Sequence, residues 1–208
     1  MTDTTSGTSS ITGIIVAAGR STRMAGRQSK LLLPWAGGRT IVEATVDTLL
    51  ASAVDEVIVV IGHDSELVVS KLESRPIRLV DNEDFADGLS TSIRCGVGAA
   101  GATQAYLIAL ADMPCIKTAT INILCNKIAE VGSGGIAVPI MDGGRGHPVA
   151  FGSDHREGLL ALSGDKGARG LIEANAKEVY EVAVNDSGIF ADVDTPQAYA
   201  EAFAGLGQ

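Results

Sequence analysis

Apolar positions in this chain follow two periods in turn. Short continuous runs occur at Ile14 to Ala18 (IIVAA), Val54 to Ile61 (VDEVIVVI), Ile77 to Val80, Gln104 to Ala111 (QAYLIALA) and Gly135 to Ile140. Rich in β-branched residues and bounded by turn formers, they predict strands buried on both faces. Between them the spacing is helical: Val42, Val46, Leu49 and Leu50 within Thr40 to Ser52, and Ile121, Leu124, Cys125 and Ile128 within Lys117 to Val131. Asp64 to Glu73 and Gly88 to Ala99 also read as helices. The alternation predicts an α/β fold: a single-domain, three-layer, Rossmann-like arrangement with a mostly parallel sheet covered by helices on both faces.

The second half departs from simple alternation. Gly146 to Phe151 (GHPVAF) is short and extended, Gly167 to Asn175 helical, Glu178 to Val184 a strand, and Thr195-Pro196 opens a last helix with Pro at its first position. An antiparallel strand is expected here, near the edge of the sheet. No repeat or interdomain linker interrupts the pattern, so one domain is expected over residues 12–208 of the 208. The preceding eleven residues, MTDTTSGTSSI, lack a basic n-region and an apolar core, and read as a disordered tail over residues 1–11.

Composition narrows the classes of partner. No apolar run is long enough to cross a membrane, and 46% hydrophobic with 20% charged residues is ordinary for a soluble domain. A formal charge of -9 and a pI near 4.7 argue against nucleic acid, whose binders carry a basic footprint. Cys95, Cys115 and Cys125 are odd in number and form no CxxC pair, which indicates neither a disulfide framework nor a zinc site and suits a reducing cytoplasm.

Against that acidic background one segment is basic. The first strand breaks at Gly19 into a loop holding Arg20, Arg23, Arg27 and Lys30. Ligands of open α/β sheets bind beyond the carboxyl ends of strands, and a loop there with backbone N–H groups and cations suits phosphate. Its spacing matches neither the P-loop nor the dinucleotide fingerprint. Asp112, in Ala111-Asp112-Met113-Pro114, follows the strongest central strand; it reads either as a turn cap or as one of the one or two carboxylates that Mg²⁺ takes beside substrate phosphates. Asp192-Val193-Asp194-Thr195-Pro196 reads on its own as a helix start. Asn82 to Arg94 (NEDFADGLSTSIR) sets Gly88 and Ser90 at a helix N-terminus, whose free N–H donors fit ordinary capping or a phosphate or base edge. Gly144 to Pro148 and Gly164 to Gly170 mix glycines with cations, while His147 beside a proline is more often structural. His63 and His155 lack metal-ligand spacing, and no Gly-x-Ser-x-Gly elbow is present, which argues against zinc hydrolysis and serine nucleophiles.

These segments resemble one family. Ala17-Ala18-Gly19-Arg20-Ser21-Thr22-Arg23-Met24 followed by Lys30-Leu31-Leu32-Leu33-Pro34 is similar to the signature loop of the molybdenum cofactor cytidylyltransferases, within the wider nucleotidyltransferase class; the loop here is two residues longer between Met and Lys. The resemblance runs from Ile14 to about Tyr199. It implies a nucleotidyltransferase fold, and transfer of CMP from CTP to molybdenum-molybdopterin with release of pyrophosphate. It implies Arg23, Lys30 and Asp112 as catalytic groups, and Mg²⁺ as cofactor on Asp112 and Asp194, with Asp194 preferred to Asp192. Nucleotide contacts are implied for Ala17, Ala18, Gly19, Arg20, Lys30, Asn82, Gly88 and Ser90, and acceptor contacts for His147, Lys166 and Arg169. An apo molybdenum hydroxylase is the implied recipient of the product, and cytosine is preferred to guanine on the Leu-rich Leu31 to Pro34.

Two rival readings stay open. Some relatives of this fold are NAD(P)H-dependent oxidoreductases acting on nicotine-derived pigments of the nicotine-blue type, against which the missing glycine fingerprint counts. A non-catalytic molybdopterin carrier would bind the pterin without turning over nucleotide.

Overall fold

A computed structural model describes residues 10–19 and 29–205 of the chain. The first run forms β1 (Ile11–Val16), buried at all six positions. Ile11, the last residue of the expected tail, opens this strand, and residues 1–9 lie outside the described residues. α1 (Ile41–Leu50) follows, started by a capping box in which the Glu43 carboxylate accepts hydrogen bonds from the Thr40 N–H and hydroxyl, both at 2.7 Å. Such a cap stabilises a helix by about 1 kcal/mol. Next come β2 (Glu56–Ile61), α2 (Ser65–Leu72), β3 (Arg78–Asp81), α3 (Leu89–Ala99), β4 (Ala105–Leu110) and α4 (Thr118–Val131). β1, β2, β3 and β4 are mutually parallel where they pair, with β1 central: Ile14 faces Ile58 on one side and Ile108 on the other.

The chain then turns back on itself. β5 (Ile136–Met141) leads through Asp142 and Gly143, both at positive φ (51° and 78°), into β6 (Gly144–Arg145), and then through Gly146, His147 and Pro148 into β7 (Val149–Gly152), whose register against β5 is shifted by two residues. Two successive residues in that region make the tight hairpin turn whose twist matches its strands. A link this short cannot carry a crossover helix, so β7 must run antiparallel to β5. It lies between β5 and β4, giving the order β3-β2-β1-β4-β7-β5 with β8 (Val179–Ala183) parallel on the outer side of β5. The antiparallel strand expected at the edge is therefore interior, consistent with burial of all four of its residues. Its placement is set by β4, a neighbour distant in sequence.

α5 (Arg156–Leu160), α6 (Arg169–Ala174) and α7 (Pro196–Ala204) complete the described elements. The period-2 alternation of each strand separates two cores. Ile15, Val57, Val59, Leu107 and Ala109 pack with α1, α2 and α4 on one face; Ile14, Ile58, Val60, Tyr106 and Ile108 pack with α3 and α5 on the other. The three-layer arrangement follows from this division. α3 lies unusually close to the sheet at Gly96, where an added Cβ would sit 2.4 Å from Ile14 Cγ2. Among the described residues no helix is long and apolar enough to cross a membrane.

Candidate functional site

Three chain segments meet at the carboxyl edge of the parallel strands. The first is a 3-10 turn, Lys30–Leu32, anchored by the buried side chains of Leu31 and Leu32. It leads to Pro34, whose carbonyl accepts a hydrogen bond from the Tyr199 hydroxyl of α7 at 2.7 Å. The second leaves β4: Ala111 N–H donates to the Val16 carbonyl at 3.1 Å, and the Ala111 carbonyl accepts from the Thr45 hydroxyl of α1 at 3.0 Å, which aims Asp112 beyond the strand end. The third precedes α7, and its Val193 N–H donates to the Asp112 carbonyl at 2.9 Å, joining the two acidic segments through their backbones.

The Lys30 ammonium lies between the Asp112 and Asp194 carboxylates and donates to both, across sequence separations of 82 and 164 residues. Burial on its own would lower the pKa of this lysine; the two carboxylates outweigh it and hold the ammonium above the usual lysine range. Asp192 lies beside them, its carboxyl pushed up by burial and by the negative charges of Asp194 and Asp112. Thr195 caps α7, accepting from Ala198 N–H at 3.1 Å, so the segment is at once a helix start and an acidic site.

These groups line a cleft of about 480 Å³ together with Ala17, Gly19, Phe85, Gly88 and Asp165. Of the residues expected to hold nucleotide, Ala17, Gly19, Lys30 and Gly88 face this cleft. Ala18 is buried beside it, its carbonyl accepting from His63 N–H at 3.3 Å. Arg20, Arg23 and Arg27 lie outside the described residues. Asn82 supports the wall from behind: it is 5% exposed, donates to the Thr91 and Ser92 hydroxyls at 2.9 and 3.0 Å, and accepts from Asp84 N–H at 3.1 Å. Ser90 is fully buried.

The N-terminus of α3, expected to serve ordinary capping or a phosphate or base edge, is capped from within the protein. Its N–H groups are committed within the protein, Leu89 to the Asp165 carboxylate at 3.3 Å, Ser90 to the Gly164 carbonyl at 3.2 Å and Thr91 to the Gly88 carbonyl at 3.1 Å. The loop before α6 thus packs directly against this helix end. Gly88 permits this closeness: its φ is +108°, and a Cβ there would meet Asp165 Oδ1 at 2.4 Å. Asp165 and Asp192 were not selected by sequence reasoning. The signal for Asp165 is its position beside Lys166 in a Gly-flanked loop, and for Asp192 its pairing with Asp194.

A second cavity, of about 540 Å³, adjoins the first across Leu89 and Leu110 and gathers the three expected acceptor residues, His147, Lys166 and Arg169. Its walls are largely apolar, formed by Ile93, Ile108, Val138, Val149, Phe151 and Ile172, with Arg145 and Glu173 also present. His147 reaches it because β7 is antiparallel, so the loop entering β7 lies at the same edge as the loop leaving β4. Its N–H donates to the Ile189 carbonyl at 3.0 Å, and its Nδ1 is buried without a hydrogen-bond partner among the described residues. Burial lowers the imidazole pKa against the opposing pull of Asp112 and Asp192, leaving a neutral ring at pH 7.

The arrangement suits a reaction between two bound molecules. A cleft with an ammonium at its acidic floor opens beside a mostly apolar cavity with cations, at a sheet edge where open α/β folds place ligands. The Asp112 Oδ1 atom is buried without a partner among the described residues, a disposition that fits a hard cation with few protein ligands.

Known proteins share this frame. A nucleotidyl transferase from Methanothermobacter thermautotrophicus superposes with a TM-score of 0.84 at 28% identity, covering 95% of this chain and 97% of its own. A Mycobacterium tuberculosis protein solved as a manganese complex superposes with a TM-score of 0.78 at 29% identity, covering 94% and 98%. In sequence, the chain is 32% identical over 192 residues to the nicotine blue oxidoreductase of Paenarthrobacter nicotinovorans, covering 89% of this chain and 92% of that one. It is 30% identical over 195 residues to the molybdenum cofactor cytidylyltransferase of Escherichia coli, covering 93% and 96%. The model of the MobA-like NTP transferase domain matches residues 13–179. With most of β1, all of β2 to β7, and Lys30 and Asp112 falling inside that match, the chain belongs to the MobA-like NTP transferase family of nucleotidyltransferases.

Proposed function

We propose that the protein transfers CMP from CTP to the terminal phosphate of molybdopterin carrying molybdenum. An acceptor phosphate oxygen forms a bond to the α-phosphorus of CTP as the bond to the bridging oxygen of the β-phosphate breaks, and pyrophosphate leaves with that oxygen. The observation that carries this reading is the adjacency of two unlike cavities, one with the Lys30–Asp112–Asp194 cluster, the other with apolar walls and the side chains of His147, Lys166 and Arg169. The first suits a triphosphate, and the second a flat ring system with an anionic group. The cytidylyltransferase relative from E. coli supports the choice of substrates.

Asp112 and Asp194 would hold Mg²⁺, which fits the unpartnered Oδ1 of Asp112 and the manganese present in the M. tuberculosis relative. When bound, the ion would neutralise triphosphate charge. Lys30 offers a further positive group to the phosphates, and the amides after β1 suit the same task. Lys166 and Arg169 orient the acceptor, and His147 offers a neutral, buried hydrogen-bonding edge. The protein's work is positioning and charge stabilisation, with little proton transfer required of it. The dinucleotide product would pass to an apo molybdenum hydroxylase in the cytoplasm, a reducing setting that suits the free Cys95, Cys115 and Cys125.

Pyrophosphate release from CTP, GTP, ATP and UTP, with and without Mg²⁺ and molybdenum-loaded molybdopterin, tests the reading. CTP-selective release that requires the pterin supports it; selective release with GTP moves the base assignment, and none with any nucleotide refutes transfer. NADPH consumption followed in parallel tests the reading favoured by the nicotine blue oxidoreductase relative. Pterin binding without turnover would identify a carrier. Asp112→Ala should lower cytidylyl transfer by roughly 10²-fold or more while leaving the circular dichroism unchanged; a fully active variant would remove Asp112 from the mechanism.

A further inference from the structure

The Lys30 ammonium sits between the two carboxylates proposed to hold the metal. It donates to Asp112 Oδ2 and Asp194 Oδ1 at the same time, and the three side chains are only 12%, 16% and 27% exposed. A divalent ion drawing on the same two carboxylates, even one that took the unpartnered Asp112 Oδ1, would stand within a few ångströms of a buried ammonium, and the two cations would repel. Lysine is suited to yielding: its charge is a compact head on a flexible four-carbon stem, and phosphate oxygens are ready alternative partners. Departure of the ammonium with nothing else arriving would take from Asp112 and Asp194 the cation they share while Asp192 stays beside them, which is unfavourable for carboxylates this buried.

We propose that Lys30 is a resident cation of the carboxylate pair and is largely held there until nucleotide phosphates draw it away, so that divalent ion and nucleotide load as a linked pair. This rests on the reading that Asp112 and Asp194 hold the ion. In nucleotide-free protein the vacated form is a minor population, and ion affinity is reduced by that fraction; vacancy in one molecule out of ten weakens binding roughly tenfold. By linkage, whatever factor the nucleotide contributes to ion binding, the ion returns to nucleotide binding.

The test is Mn²⁺ binding followed by the electron paramagnetic resonance signal of the free ion, a readout independent of turnover. Wild type, Lys30→Met and Lys30→Gln are compared without nucleotide, each also with Asp112→Asn, and all are repeated with α,β-methylene CTP. Thermal melts establish that each variant is folded, and two Lys30 variants guard against one failing. The expected result is Mn²⁺ binding at least tenfold tighter in a Lys30 variant than in nucleotide-free wild type, abolished by Asp112→Asn. Equal Asp112-dependent affinity in wild type and variants, or Asp112-dependent binding that needs the analogue in both, overturns the resident-cation role while the metal assignment stands. Absence of any Asp112-dependent binding, analogue included, overturns the metal assignment and this inference with it.

Discussion

Asp186 holds the acidic segment to the rest of the molecule, and its removal should be felt throughout the site. The carboxylate is 2% exposed and accepts three hydrogen bonds: from Lys117 N–H at 2.9 Å, from the Thr120 hydroxyl at 2.6 Å, both at the start of α4, and from Gly188 N–H at 3.0 Å. Asp186→Ala leaves these donors facing a void. Hydrogen bonds to a charged acceptor contribute about 1.5–3 kcal/mol each, but neighbours sharing one acceptor do not add, and a water entering the void recovers part of the loss. A net loss of about 3–5 kcal/mol is expected, a large fraction of the stability of an ordinary domain. At a urea m-value of about 2 kcal/mol/M, the midpoint should fall by about 1.5–2.5 M with unchanged slope. Asp186→Asn, which keeps one acceptor oxygen, should lose less. Urea unfolding followed by circular dichroism measures both, and a midpoint shift below about 0.5 M for the alanine variant would refute the assignment of Asp186 as a structural hub. The Ser187–Phe190 turn that follows carries the Ile189 carbonyl to His147 N–H, so transfer activity should fall alongside stability.

Three further outcomes are open to measurement. Gly96→Ala should destabilise by about 1–3 kcal/mol through overpacking against Ile14, read as a lowered melting temperature; an unchanged melt would mean that α3 shifts freely from the sheet. At Glu43, burial would raise the carboxyl, but hydrogen bonds from Thr40 and the charges of Arg75 and Lys71 outweigh it and hold it below the usual range. Its contribution to stability is therefore present above the unfolded value near 4.5 and lost as pH falls through the lower folded value, so Glu43→Gln should flatten the acid limb of a stability–pH curve below about pH 4.5. Burial, assisted by Asp55, pushes the Cys125 thiol up to about 11, so thiolate is scarce at pH 8 and Cys125 should resist a disulfide reagent until urea is added; reaction at the rate of an exposed thiol would contradict that burial.

The fold was legible wherever local sequence determines the outcome. The Val/Ile runs became the parallel strands because burial on both faces leaves no polar side to alternate, and Val42, Val46, Leu49 and Leu50 at helical spacing became the buried side of α1, whose Thr40–Glu43 cap the spacing did not indicate. What escaped depends on neighbours far along the chain. Gly146 to Phe151 reads as an extended segment near the edge, yet the place of β7 between β4 and β5 is a matter of long-range pairing. Similarly, Leu89 to Ser92 resembles an open helix N-terminus, and only the fold brings Asp165 to close it. At the site, Asp112 was legible as a carboxylate after a strand and Lys30 as a cation in a basic segment, Asp194 stood out only through the family resemblance, and their direct contact spans separations that no local spacing rule reaches. Asn82 drew notice for its neighbours in sequence, and its buried amide turns out to fasten the loop to α3.

The same long separations bear on how the protein is made. Synthesis proceeds from the N-terminus, so Lys30 emerges from the ribosome well before Asp112, and Asp194 follows after most of the sheet is already available to fold. Until then the segment holding Asp112 lacks the Val193 N–H that braces its carbonyl, and Tyr199 has not yet arrived to fasten the loop after Lys30. A nascent chain can therefore collapse around β1, β2, β3 and β4 without possessing the acidic floor of the cleft. Competence is acquired late, and a ribosome stalled before residue 194 would display a largely built nucleotidyltransferase frame that cannot assemble its charged centre.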